Sequence, residues 1–523
     1  MVLAGTVSQE SRGYRLLVKA IRVSTGEVIA SADERARSKD QILSVASDLA
    51  SEVRTALGDD TSDETRRFAM GTWTASSLEV VRDFALAAEA LSNSKLEEAL
   101  KGFAKATERD PNFGPGYFGQ AAVSMSLGRQ QDAEKFTDEA VRHLDRMTER
   151  ERFAARAFFY LVRGDYKACT KEYDDLIARY AQDSAAHNNL ALCYLQLRDV
   201  PKAVDHMRQV VTILPKRSLY RGNLSLYAAY GGDFQTAEQE AKVALEMKNR
   251  AGWLRLAFAY LGLGQLQQAG EAYQQLAKVD ALGLSQSSSG LGDLAAFEGR
   301  FADAAKILEA GAAVDEQAKE AERAADKFLA IANVQLARKQ QRPAAAAAER
   351  ALMLHGKAAK IRFMAARVLV EAGQIPRAQQ LTSELAKERL AEPRAYAKIL
   401  EGEMSLKKGE LGPAIDSFTA ANGLLDTWIG RFDLGRAYLQ ANEFALADSE
   451  FDRCLKRRGE ALALFFDQDP SFSFLPPVYY YQGRAREGLK TQGYADSYRA
   501  YLNIRGKSSE DSLVTDARRR AGV

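Results

Sequence analysis

A small residue returns along this chain at the spacing of one helical hairpin. Ala99, Ala133, Cys169, Ala203, Ala237 and Ala269 stand 34, 36, 34, 34 and 32 residues apart. Each follows a turn-like stretch and opens an amphipathic segment. Self-similarity at that period predicts stacked helix–turn–helix units, each burying its apolar face only against its neighbours. Such arrays bind partners over an extended concave face and rarely carry chemistry. A chain of 523 residues exceeds one ordinary core, and a solenoid accommodates that length. With only 11 prolines and helix formers dominant, everything after the first ~60 residues reads as all-α.

The first segment breaks this pattern. Val2 to Val7, Tyr14 to Val23 and Val28 to Ala32 read as three short strands, with turns at Gly13 and Ser24-Thr25-Gly26-Glu27. Ser38 with Gln41 forms a capping-box signature opening a helix that ends near Leu57-Gly58. A β-β-β-α segment is marginal alone, and Met1 falls inside a strand. Residues 1–58 are therefore expected to be the end of a truncated domain. Residues 59–75 read as a linker, 76–505 as the helical array and 506–523 as a polar tail. Ser76 with Glu79 is a second capping box, placed at the array's start.

Numbered within a 34-residue unit, the copies agree at many positions. Leu190, Ala191, Tyr194, Ala203 and Pro215 stand at 7, 8, 11, 20 and 32; Trp253, Leu256, Ala257, Tyr260, Ala269 and Tyr273 stand at 4, 7, 8, 11, 20 and 24. Ala99, Phe103, Ala106 and Pro111 stand at 20, 24, 27 and 32, and Leu434, Gly435, Tyr438, Ala447 and Phe451 at 7, 8, 11, 20 and 24. Small residues at 8 and 20 let two antiparallel helices approach, while large ones fill the space around that contact. The pattern resembles the tetratricopeptide repeat. The resemblance spans about residues 66 to 505, roughly twelve helical pairs, and implies a mostly α fold, an α-solenoid of antiparallel helix pairs. It is weakest from 310 to 360, where one long charged helix is expected from Glu316 to Arg338.

A second resemblance is narrower. A strand-rich start, then Leu57-Gly58, Thr74-Ala75-Ser76-Ser77-Leu78-Glu79, Thr148-Glu149-Arg150-Glu151-Arg152 and Asn188-Asn189-Leu190-Ala191 is similar to the non-catalytic C-terminal region of bacterial eukaryotic-like serine/threonine protein kinases. Some transcriptional regulators share such a tail. The resemblance implies a regulatory or sensory tail of a bacterial signalling protein. A kinase domain is expected upstream in the first case and a DNA-binding domain in the second.

The chain itself shows no catalytic motif. There is no His-Arg-Asp loop, and Gly232-Asp233-Phe234 is followed by Gln235. Gly262-Leu263-Gly264 and Gly290-Leu291-Gly292 lack the third glycine of a nucleotide loop and read as repeat turns. His143, His187, His206 and His355 show no paired metal spacing. No cofactor or metal is expected. A formal net charge of +2 does not favour nucleic acid as partner, and Lys456-Arg457-Arg458 and Arg518-Arg519-Arg520 read as solvated helix ends. No stretch approaches the ~20 apolar residues of a bilayer span. Three cysteines without a Cys-x-x-Cys pair argue against a disulfide framework. A cytoplasmic location is expected, or an extracytoplasmic one if the parent protein spans a membrane upstream.

The expected ligand is a protein or peptide in the groove. The tetratricopeptide resemblance implies that the first helix of each pair lines it. Asn189 and Asn223 both take position 6 of successive repeats, Asn188 precedes the first, and Arg255 takes position 6 of the next. Amides donate to and accept from an extended backbone, and Arg holds a carboxylate with two parallel bonds. The alternative for these asparagines is capping or bridging of neighbouring helices. Phe465-Phe466 and Tyr479-Tyr480-Tyr481, around the irregular stretch Asp467 to Pro477, are read as packing of the last repeat, with an exposed docking patch as the other reading.

Overall fold

The computed structural model describes residues 2–22, 25–57, 75–93 and 95–523. They divide into two compact units, Met1–Asn189 and Leu190–Val523. Most of the expected linker lies outside the described residues.

Unit one opens with an antiparallel meander of β1 (Val2–Glu10), β2 (Gly13–Ile21) and β3 (Val28–Ala36), in that order. Alternation decides its faces. Leu16 and Ala20 of β2 and Ala30, Ala32 and Ala36 of β3 pack on Ile42, Leu49 and Val53 of the helix Ile42–Ala56. The expected box at Ser38 forms only in part. Ser38 makes no side-chain cap, and Gln41 Oε1 accepts from the Arg37 amide at 3.0 Å. The first repeat helix, Leu78–Ser92, is capped by Ser77 rather than Ser76, with Ser77 Oγ accepting from Val80 N at 3.4 Å. Glu79 instead pairs with Lys39.

Twelve helix pairs follow in sequence from Leu78–Ser92 to Tyr494–Arg505 among the described residues. Three successive turns show why the period holds. Gly164, Arg198 and Gly232 take positive φ (72°, 64° and 82°). Asp165, Asp199 and Asp233 then cap the second helix, accepting from Ala168, Lys202 and Thr236 at 3.1, 3.3 and 3.1 Å. Four residues on comes the small residue: Ala99, Ala133, Cys169, Ala203, Ala237 and Ala269 are all 0 % exposed. A Cβ added at Gly435 would lie 2.8 Å from the Phe451 ring of the same pair, so positions 8 and 24 meet with no room to spare.

In unit two the first helices of successive pairs also touch one another, from Ala281–Phe297 through Ala321–Ala337, Ala359–Glu371, Ala391–Lys408 and Trp428–Gln440 to Pro476–Gly488. They form a continuous first-helix layer. Three expectations are corrected here. The span Glu316 to Arg338 is two helices, Phe301–Gln317 and Ala321–Ala337, broken where Lys319 takes φ 62°. The polar tail contains a helix, Leu513–Ala521, which buries Val514, Ala517 and Ala521 against Tyr480, Tyr498 and Tyr501. Finally, against the expectation drawn from the cysteine count, Cys169 and Cys193 are not free thiols, and Cys454 is the free cysteine among the described residues, buried.

Candidate ligand-binding face

In unit one, Asn188 and Asn189 stand together on the helix beginning at Ser184. Asn188 Nδ2 donates to Asn189 Oδ1 at 3.0 Å, and Asn189 Nδ2 donates to the buried Tyr173 hydroxyl at 2.9 Å. Asn189 lines a cavity of about 140 Å³ with Phe118, Arg150, Tyr173 and Asp183. Arg150 Nε donates to Asp183 Oδ2 at 2.7 Å, so the cavity wall is charged and internally neutralised. Burial pushes the Tyr173 hydroxyl well above its ordinary range, and it stays neutral while accepting from Asn189.

In unit two, Asn223 is half-buried on the helix Ser218–Tyr230. Arg255 is 6 % exposed. Its Nε donates to the Gly222 carbonyl and its Nη1 to the Ala251 carbonyl, both at 2.7 Å. Two donors of its fork are spent on backbone, and they fix the residue beside Asn223.

The most elaborate site in unit two was not among the expected residues. Between the helices Phe444–Lys456 and Pro476–Gly488 the chain leaves the helical pattern, keeping only 3₁₀ turns at Arg458–Leu462 and Phe472–Phe474. This segment lies on the first-helix layer. Gly459 passes so close to the end of Ser218–Tyr230 that a Cβ would sit 2.2 Å from the Ala229 carbonyl oxygen. Arg198 donates from Nη1 to the Leu464 carbonyl at 3.1 Å, and its guanidinium lies 4.4 Å from the Phe466 ring centroid. Phe466 also meets Tyr230 at 4.8 Å, and Phe472 stacks on Phe297 at 5.1 Å. Asp293 accepts from the amides of Phe472 and Ser473 at 2.8 and 3.0 Å, and Arg505 donates to the Ser473 carbonyl at 2.9 Å. Burial pushes the Asp293 carboxyl up to about 6 despite those two amides.

Charge is concentrated at two points. Lys360 Nζ lies 2.9, 2.6 and 3.1 Å from carboxylate oxygens of Asp326, Asp467 and Asp469. Burial pushes Asp326 up to about 7, against the pull of Lys360. Burial would lower the Lys360 ammonium, but the three acids outweigh it and hold it above its ordinary value. The second point is a four-residue ionic cluster. Arg367 donates from Nη1 to Asp433 Oδ2 at 2.5 Å and faces Glu403 at 2.9 Å, while Arg436 bonds Asp433 Oδ1 at 3.1 Å. It borders a cavity of about 330 Å³ closed on one side by Ser471, Ser473 and Phe474 of the segment.

Phe465 and Phe466 therefore do pack, but on helices far earlier in the chain than the last repeat; Phe465 meets Phe363 and Tyr396. The tyrosine run packs locally, Tyr480 on Tyr498 and Tyr501, Tyr481 on Phe432 and Phe451. The local signs of the site in the sequence are Phe465-Phe466 with the irregular stretch that follows, and Arg198, which stands in a left-handed turn where the adjacent repeats place glycine.

Two family models match the sequence, both described as the tetratricopeptide repeat, over residues 155–218 and 251–281. No curated protein matches significantly. Among solved structures, the chain is similar to MamA from Desulfovibrio magneticus RS-1 (residues 41 to the end), at 18% identity over 33% of this chain and 97% of that one, TM-score 0.24. A MamA RS-1 ArsTM double mutant gives the same values. A human IFIT1 dimer with PPP-AAAA matches at 15% identity over 82% of this chain and 91% of that one, TM-score 0.39. At such scores these structures carry no argument here. The two family models and the buried small residue of each hairpin lead to one conclusion: the chain carries tetratricopeptide repeats.

Proposed function

We propose that the chain is a protein- or peptide-binding scaffold that holds extended polypeptide on its first-helix layer. One observation carries this reading. In unit two an irregular stretch of chain is gripped by its backbone, through Asp293 of the first-helix layer to the Phe472 and Ser473 amides, Arg198 of a repeat turn to the Leu464 carbonyl, and Arg505 at the end of the second helix Tyr494–Arg505 to the Ser473 carbonyl. Backbone bonds recognise extended chain of many sequences, and a preformed layer keeps the ordering cost of binding small. Asn188, Asn189 and Asn223 are the proposed groove contacts, and Arg255 positions the backbone next to Asn223. A role as the regulatory or sensory tail of a bacterial serine/threonine kinase, or of a transcriptional regulator, rests on the resemblance alone, and a cytoplasmic location on the cysteine count.

The test is partner capture by the full chain from a lysate of its source cells, with wild type against Asn189→Ala plus Asn223→Ala. The double variant is expected to keep its helical circular dichroism and lose capture at least tenfold. Equal capture by both chains would remove the asparagines from the groove, and absence of any captured protein would count against the scaffold reading.

A further inference from the structure

The segment on the first-helix layer of unit two is more than a long connection. We propose that residues 463–474 are a self-ligand: the layer is a docking site for an acidic and aromatic segment folded into turns, and this chain's own segment occupies it. The proposal rests on the scaffold reading above and gives the ligand its chemistry.

Three observations point the same way. First, the segment, Ala-Leu-Phe-Phe-Asp-Gln-Asp-Pro-Ser-Phe-Ser-Phe, is read by features of the layer that suit a ligand. Aromatic rings enter between helices, with Phe466 against Tyr230 and Arg198, Phe465 against Phe363 and Tyr396, and Phe472 against Phe297. The acids Asp467 and Asp469 meet the ammonium of Lys360. Apolar anchors with charged and backbone contacts between them are a common way for a peptide to be held.

Second, the layer is shaped for that occupant at a local cost. Arg198 adopts φ 64° in a turn where Gly164 and Gly232 stand in the adjacent repeats. The same turn holds a non-glycine residue at Lys339, Asn442 and Lys490 as well; such a residue is unfavourable there, and at Arg198 that cost comes with a guanidinium placed on the segment. The guanidinium it supplies is almost wholly enclosed, with 3 % of the side chain exposed, and it is divided between Leu464, Glu392 and the Phe466 ring.

Third, the occupant is held under tension. Phe466 and Gln468 take φ 55° and 68°, a region that side chains disfavour. Three carboxyl groups share one ammonium at Lys360, in a site where Asp326 and Lys360 are each under 20 % exposed. Repulsion among the acids opposes docking while Lys360 favours it. Ala463, Leu464, Phe466 and Phe472 of the segment are buried in the same core as the helix pairs, so its release exposes them while the small residue of each pair stays against its own partner helix.

The experiment uses the full chain and a synthetic peptide with the sequence of residues 463–474. In wild type, hydrogen exchange at the Phe472 and Ser473 amides is expected to proceed by local opening, at least tenfold faster than in the helix Ala359–Glu371. Excess free peptide is expected to speed it further by competition. In a second chain, residues 463–474 are replaced by a Gly/Ser linker of equal length. That chain is expected to keep its helical circular dichroism and bind the peptide in trans at least tenfold more tightly than wild type does. A peptide with Asp467→Asn and Asp469→Asn is expected to bind it at least tenfold more weakly. Exchange of Phe472 and Ser473 only with the helices overturns the proposal, as does a linker chain that fails to fold or that folds and does not bind. Equal binding of the two peptides overturns the acidic part. If the peptide binds in trans while lysate capture fails, the self-ligand stands and the wider scaffold reading falls.

Discussion

Replacing Asp433 by Asn tests whether the ionic cluster under the first-helix layer is sealed from water. Asp433 is 0 % exposed and accepts from two guanidiniums, Arg367 at 2.5 and 3.3 Å and Arg436 at 3.1 Å. The amide keeps the shape of the side chain and removes its charge, leaving two cations with Glu403 as the remaining acid. Breaking a buried pair by removing one partner costs about 3–5 kcal/mol. Glu403 stays 2.9 Å from Arg367 and 3.8 Å from Arg436, so the low end applies, about 3 kcal/mol. In a repeat array unfolding need not be global, and the reporter must be local. Trp428 begins the helix that carries Asp433, is 2 % exposed and donates Nε1 to the Cys454 carbonyl at 2.9 Å. With Trp73 and Trp253 changed to Phe, its fluorescence follows this helix alone. At an m-value of about 2 kcal/mol/M, the urea midpoint falls by about 1.5 M. A shift below about 0.3 M would refute the reasoning, since the guanidiniums would then have water in place of the lost charge.

The same reporter checks pH dependence. Burial pushes Glu403 up to about 7, with Arg367 opposing and Asp433 reinforcing; its folded pKa therefore lies above its unfolded one, and its stabilisation is complete below about 4.5 and lost as pH rises through about 7. The urea midpoint is expected to fall between pH 5 and pH 8, less steeply in Glu403→Gln; the residual slope belongs to Asp326 and Asp293, raised in the same direction. Ala203→Trp adds a ring at a position with no exposure and is expected to destabilise its hairpin by at least about 1–3 kcal/mol; an unmoved melting curve would show that position 20 is not the close contact of the pair.

The array was legible because its determinants are local and repeated. A left-handed turn residue, an aspartate cap and a small residue four positions later lie within a few residues of one another, as in Gly232, Asp233 and Ala237, and each copy is a fresh chance to see them. The meander was legible for a similar reason, since alternation in β2 and β3 sorts Leu16, Ala20, Ala30 and Ala32 to one face. Where the signal was compositional, it misled. The charged run from Glu316 to Arg338 looks like one helix, but a positive φ at Lys319 ends the first helix without glycine or proline. Arg518-Arg519-Arg520 sits at a helix end as expected, while the helix itself was hidden in a polar segment because only Val514, Ala517 and Ala521 face inward.

The site in unit two was illegible for a different reason. Its partners are separated by up to 266 residues, as Arg198 is from Leu464, and no periodicity connects them. Asp293 sits among small residues, Lys360 between the basic Lys357 and Arg362, and Asp467 in a stretch without helical pattern. What distinguishes them is that they contradict their local setting. Arg198 stands at a glycine position, Asp293 points a carboxylate into an apolar layer, and residues 463–474 interrupt an array that otherwise prefers helices. Such departures are costly where they occur, because a left-handed arginine, a buried acid and a helix-free stretch each give up local stability. They become mutually consistent only when the segment lies on the layer: Asp293 then has two amides, Arg198 a carbonyl and a ring, and the segment's backbone the partners a helix would have supplied. Repeat sequences are therefore most informative about function where they break their own register, and in this chain the breaks at Arg198 and at 463–474 are the two halves of one contact.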